Sequence, residues 1–179
     1  MSLTVNVTWA PELLGVAPVN APAILEDESL QSLMTGDVQE YRKRLLALED
    51  HMREHITPIE CPVRHHFAGG VYAREMTIPA GVLLTGKIHR YPQVNIVSKG
   101  RITVVTEEGM RTVEAPYTFV SPAGVKRLGY AHTDTVWTTL HGTHETDLEK
   151  IEAEFIAPTF EDLDADLIEF KERAWLGEQ

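Results

Sequence analysis

The chain carries a single cysteine, Cys61, in 179 residues, so no disulfide forms within it and stability has to come from a packed core. A lone thiol suits a reducing compartment, and the cytoplasm is the expected location. No apolar run approaches the roughly 18 residues that a spanning helix requires, so no membrane segment is expected. The first 25 positions contain neither Lys nor Arg, and a basic-start secretory leader is not expected either. Basic charge is short overall: 16 Lys/Arg face 27 Asp/Glu, for a net charge of −11. Nucleic-acid binding through counterion release needs the opposite balance, so no nucleic-acid partner is expected. Trp9, Trp137 and Trp175 are too dispersed to form a stacking platform. HExxH, CxxC, G-x-S-x-G and P-loop patterns are all absent.

What is present is ordinary globular material, 43% hydrophobic and 24% charged, of a length for one domain. Charge divides the chain unevenly. The balance is −6 over residues 1–60, +4 over 61–142 and −9 over 143–179. These are also the boundaries drawn from texture. Residues 1–25, with Pro11, Gly15, Pro18 and Pro22, read as an arm without regular structure, and a short helix is expected near 29–34. Over 37–55, Val38, Tyr41, Leu45, Leu48 and Met52 recur at spacings of three and four, which predicts a helix with one buried stripe. Asp37 and Glu40 form a capping-box-like start. From Val71 the chain breaks into short β-branched runs, with strands expected near 71–78, 82–88, 93–98, 101–106, 111–114, 117–120, 125–131 and 135–141. Beyond 142, Thr146 with Glu149 and Thr159 with Asp162 predict two helix starts, the second leading an acidic helix toward Trp175.

Two spacings in the β region resemble the cupin superfamily, whose motifs read G-x5-H-x-H-x3–4-E-x6-G and G-x5-P-x-G-x2-H-x3-N. Gly81, Lys87, His89, Gln93 and Gly100 keep every spacing of the first. Pro122, Gly124 and Arg127 keep the second, with Pro116 in place of its leading Gly and Ala131 in place of its closing Asn. The resemblance spans about 64–142, and the layout is also similar to small cupin-like proteins of phages and prophages. It implies a mainly β fold, one jelly-roll barrel with N-terminal and C-terminal helical flanks. It also implies that positions 87, 89, 93 and 127 converge in the barrel, and that a homodimer forms, as is common among cupins.

In metal-binding cupins those four positions are His, His, Glu and His, a set that suits iron, manganese, nickel or zinc. Here they are Lys87, His89, Gln93 and Arg127. A charged Lys has no lone pair, Arg stays protonated, and Gln offers only a neutral oxygen. No metal and no other cofactor is therefore expected, and these four residues become a candidate site for a small anionic or polyhydroxylated ligand. Other readings stay open. The pocket could be retired, with Lys87 and Arg127 paired to acids such as Glu75. A displaced metal site could use His89 with His141 or with one of His65 and His66, whose side chains face opposite ways if they share a strand. The six histidines His65, His66, His89, His132, His141 and His144 gather near this region. A metal-independent epimerase or isomerase could use His89 as acid and base, with Asp134 orienting it. An accessory or assembly protein could keep the barrel only as a scaffold. No residue is assigned as catalytic, and Cys61 reads as a packing residue.

Overall fold

The structure is a computed structural model that describes residues 6–8 and 37–163. The helix expected at 29–34, most of the N-terminal arm and the acidic helix beyond residue 163 lie outside those residues.

The β region forms as its alternation requires. One antiparallel sheet has the order β1 (Asn6–Thr8), β4 (Val82–Thr85), β10 (Leu128–Ala131), β7 (Arg101–Thr106) and β8 (Gly109–Glu114). A second has the order β2 (Val63–Ala68), β3 (Val71–Ile78), β11 (Thr135–His141), β6 (Gln93–Lys99) and β9 (Tyr117–Ser121). β5 (Ile88–His89) pairs separately with β12 (Ile156–Ala157). Along β11 every second residue is buried, from Thr135 through Trp137 and Thr139 to His141, the period-two signature of a strand with one covered face. The inner faces share one apolar core. Met76, Ile78, Val97 and Trp137 of the second sheet pack with Val82, Leu84, Ile102 and Val113 of the first, and Cys61 joins them.

Two of the resemblance glycines have a visible reason. Gly100 turns β6 into β7 at φ +86°, and a Cβ there would collide with the carbonyl oxygen of Asp134. Gly124 lies at φ +81°, where a Cβ would meet Leu163 at 2.7 Å.

Helix α1 (Val38–His55) starts where expected, with the Asp37 carboxylate accepting from the Glu40 amide at 2.9 Å. Tyr41, Leu45 and Met52 are buried, each worth about 1.5–3 kcal/mol. Two positions of the expected stripe differ. Val38 is exposed and Leu48 only half-buried, while Glu49 is buried in their stead. Its carboxylate meets Lys126 Nζ at 3.0 Å and accepts from the Thr85 hydroxyl at 3.0 Å. The Tyr41 hydroxyl reaches the carbonyl oxygens of Val105 and Lys126. These bonds lay α1 against the first sheet.

Helix α2 (Leu148–Phe155) is capped by Asp147, which accepts from the amides of Glu149 and Lys150, and not by Thr146 as its spacing with Glu149 suggests. The Thr159–Asp162 pair does form its reciprocal cap. Other corrections concern strands. The residues 6–8 read as irregular arm form β1. The run expected over 82–88 stops at Thr85 and resumes at Ile88, because Gly86 is tied aside by Arg127 and Lys126. The run expected from 125 begins only at Leu128. No described helix is long and apolar enough to cross a membrane.

Candidate functional site

Between the shared core and α2 lies a cavity of about 900 Å3. Strand parity decides which side chains reach it. On β3 the even positions Tyr72, Arg74, Met76 and Ile78 line it, while Glu75 faces the other way and meets Arg64 and His66. On β11 the odd positions Trp137, Thr139 and His141 line it. His65 faces in and its neighbour His66 does not, as alternation along one strand demands. The helix α2 closes the remaining side with Ile151 and Phe155, which pack on Tyr72. It is held there by β12 on β5 and by the Arg90 amide, which donates to the Phe155 carbonyl at 2.9 Å.

Of the four residues singled out by spacing, Lys87, His89 and Arg127 line this cavity. Lys87 does so from the break between β4 and β5, not from a strand shared with His89. Gln93 does not line it. It is buried on β6 opposite Ser121 of β9, and neither end of its amide has a hydrogen-bond partner among the described residues.

The charges are disposed differently from the sequence expectation. Lys87 Nζ meets the Glu152 carboxylate of α2 at 2.5 Å. Pairing of Lys87 with Glu75 is thereby corrected, since Glu75 sits on the opposite face of β3. Arg127 is held by the Ser121 hydroxyl, with its guanidinium 5.8 Å from the Phe119 ring centre and 5.9 Å from that of Trp137. No carboxylate among the described residues pairs with it. Burial lowers its pKa, yet a guanidinium stays protonated at working pH.

His89 stacks on His141 at 5.3 Å between ring centres, and the buried Nδ1 of His89 has no partner among the described residues. His141 stacks in turn on Tyr72, and the Tyr72 hydroxyl lies 2.7 Å from His65 Nδ1. Burial, then His141 and the cations Arg127, Arg74 and Lys87, holds the His89 pKa at about 3. Burial and Arg74 hold His141 at about 4. Both rings are neutral near pH 7.

The remaining histidines sit elsewhere: His132 bonds the Thr103 hydroxyl, and His144 lies against Gly70. Asp134 does not orient His89. Its carboxylate accepts from the Ala80 amide in the turn before β4. Among the described residues no group of three or more His, Cys, Asp or Glu is placed to hold a metal ion. The four residues at the ligand positions do not fit a divalent cation: one ammonium held by a carboxylate, one guanidinium, one neutral imidazole and an amide outside the cavity.

Spacing alone missed Arg74, Tyr72, Thr139 and Glu152. Parity could have found Arg74, because the expected strand 71–78 places it with Tyr72 and Met76. Nothing local marks Glu152, whose place depends on where α2 docks.

No family model and no curated protein sequence matches the chain. Among solved structures it is similar to an acetylacetone dioxygenase from Acinetobacter johnsonii, at 17% identity and a TM-score of 0.40, over 46% of this chain and 59% of that one. The chain thus spans less than two thirds of that protein. It is similar also to KdgF from Halomonas sp., at 18% identity and a TM-score of 0.43, over 51% of this chain and 88% of that one. A third is a cupin domain from Bordetella pertussis, at 18% identity and a TM-score of 0.38, over 46% of this chain and 93% of that one. Cupin structures are therefore among those that part of this chain is similar to.

Proposed function

We propose that the cavity binds a small organic anion without a metal ion, and that Arg127 is its anchor. One observation carries this reading: a desolvated guanidinium in the cavity wall with no carboxylate against it among the described residues. Arg127 is half-buried, and a charge taken partly out of water without a counter-ion carries a cost that a ligand anion offsets. The Ser121 bond fixes one nitrogen of the guanidinium, leaving other N–H groups of its fork to donate to a carboxylate. An open cavity of about 900 Å3 also favours a binding role over a retired, collapsed barrel.

Acid–base catalysis by His89 is not part of this proposal. A general base works best with a pKa near the operating pH, and His89 is held at about 3.

The test is a thermal-shift screen of organic acids and their neutral amides against wild type and Arg127→Ala, followed by calorimetry on any hits. A charged hydrogen bond is worth about 1.5–3 kcal/mol, so Arg127→Ala should weaken acids roughly tenfold or more and leave amides nearly unchanged. Equal losses for acids and amides would leave Arg127 a purely structural part. Elemental analysis of protein purified without chelator should show well under one transition-metal ion per chain. A stoichiometric ion would overturn the metal-free reading.

A further inference from the structure

The charge and the walls of the cavity narrow the ligand class. Three cations line it, Arg74, Lys87 and Arg127, together with two carboxylates from α2, Glu149 and Glu152. The lining histidines His65, His89 and His141 add no charge near pH 7, since burial lowers all three imidazoles. Among the described residues of the lining the balance is one positive charge, and Arg127 is a cation there that no described carboxylate pairs.

The walls are a second, independent observation. Ile78, Leu84, Ile102 and Trp137 face the cavity from the sheets, and Ile151 and Phe155 face it from α2. Such a wall gains by contact with apolar surface, whereas a hydroxyl turned toward it loses water and gains no partner.

Building on the anion reading above, we infer that the occupant is a monocarboxylate on an apolar body. Lys87 already engages Glu152, so a second negative charge meets the carboxylate of Glu149, which disfavours dicarboxylates and phosphate monoesters. Sugar acids turn part of their hydroxyls toward the stretch of wall made by Ile78, Leu84, Ile102, Ile151 and Phe155, where a hydroxyl loses water and gains no partner. Discrimination here comes from what the site repels as well as from what Arg127 attracts.

The experiment is calorimetry on the full chain with four probes: 2-naphthoate, 2,6-naphthalenedicarboxylate, 2-naphthamide and glucuronate. The first should bind about tenfold or more tightly than each of the others, the difference expected for one charged hydrogen bond or one like-charge contact. Glu149→Gln should narrow the gap between the two naphthalene acids, and an unchanged gap overturns the charge argument. The exposed position of Glu149 on α2 makes that variant a safe one for folding. Should glucuronate or the dicarboxylate bind as tightly as 2-naphthoate and still lose affinity in Arg127→Ala, this inference falls while the Arg127 anchor stands. If 2-naphthamide matches 2-naphthoate, or if no probe binds, the anchor falls with it.

Discussion

Two amides two residues apart on β6 show how differently the chain treats buried polar groups. Asn95 is 1% exposed and fully engaged: it donates to Ser121 and accepts from the Trp137 indole at 2.9 Å and the Thr139 hydroxyl at 3.0 Å. Gln93 is 3% exposed, and neither amide atom has a partner among the described residues. An unmet buried group costs about 1–3 kcal/mol, a cost that the bonds of Asn95 remove from the sheet interior. The stacked pair His89 and His141 carries a similar cost that appears only in acid. Unfolded, each imidazole returns to a pKa near 6.5, whereas folding holds them at about 3 and about 4. Their contribution is complete above pH 6.5 and is lost as the pH falls from there toward the folded values, because the unfolded chain takes up the protons first. Each such proton tilts stability by about 1.4 kcal/mol per pH unit. Urea unfolding at several pH values between about 7.5 and 5 should show this decline, and His141→Gln should show a shallower one. Identical slopes would mean that His141 is not held neutral.

At the scale of elements, helix α1 separates what patterning reveals from what it hides. Its stripe is legible in Tyr41, Leu45 and Met52, and Leu45→Ala should cost about 2–5 kcal/mol in urea unfolding. Val38, 42% exposed in the first turn, should cost below roughly 0.5 kcal/mol when cut to Ala. Glu49 is the position that patterning misreads. A Glu in a helix reads as solvated, and its partner Lys126 stands in the loop between β9 and β10, far away in sequence. Removing one partner of a buried pair costs about 3–5 kcal/mol, so Glu49→Ala should rank with Leu45→Ala, and Glu49→Leu with Lys126→Met should recover much of the loss. A neutral Glu49→Ala would show the pair to be solvated. The same limit explains the strands. β11 alternates cleanly and is read from sequence, whereas β2 is an edge strand whose Arg64, His65, His66 and Phe67 are all exposed. Polar edges guard against further strand pairing, and they erase the apolar signal that would announce a strand. In the site, spacing brought Lys87, His89 and Arg127 to one cavity. It did not reveal that Glu152 takes up Lys87, because the docking of α2 is a long-range outcome.

For the molecule as a whole, Cys61 is a built-in reporter. It is the chain's one cysteine, is 4% exposed, and sits in the core that both sheets share. Burial pushes its thiol up to about 11 with Arg74 opposing, so in the folded chain it is both shielded and protonated near pH 8. The two described helices are each tied to the sheets. Helix α1 bonds to the first sheet through Tyr41 and Glu49, and α2 packs on Tyr72 of the second while β12 holds it to β5. Opening the core therefore removes the surface on which each helix is stable, and isolated helices of this length are marginal in water. The described residues should then unfold as one cooperative unit. Labelling of Cys61 by a disulfide reagent across a urea series should share its midpoint with the loss of far-ultraviolet circular dichroism. Labelling that finishes at distinctly lower urea would mean that the sheets part while helical structure survives, and the chain would have to be divided into separately stable layers.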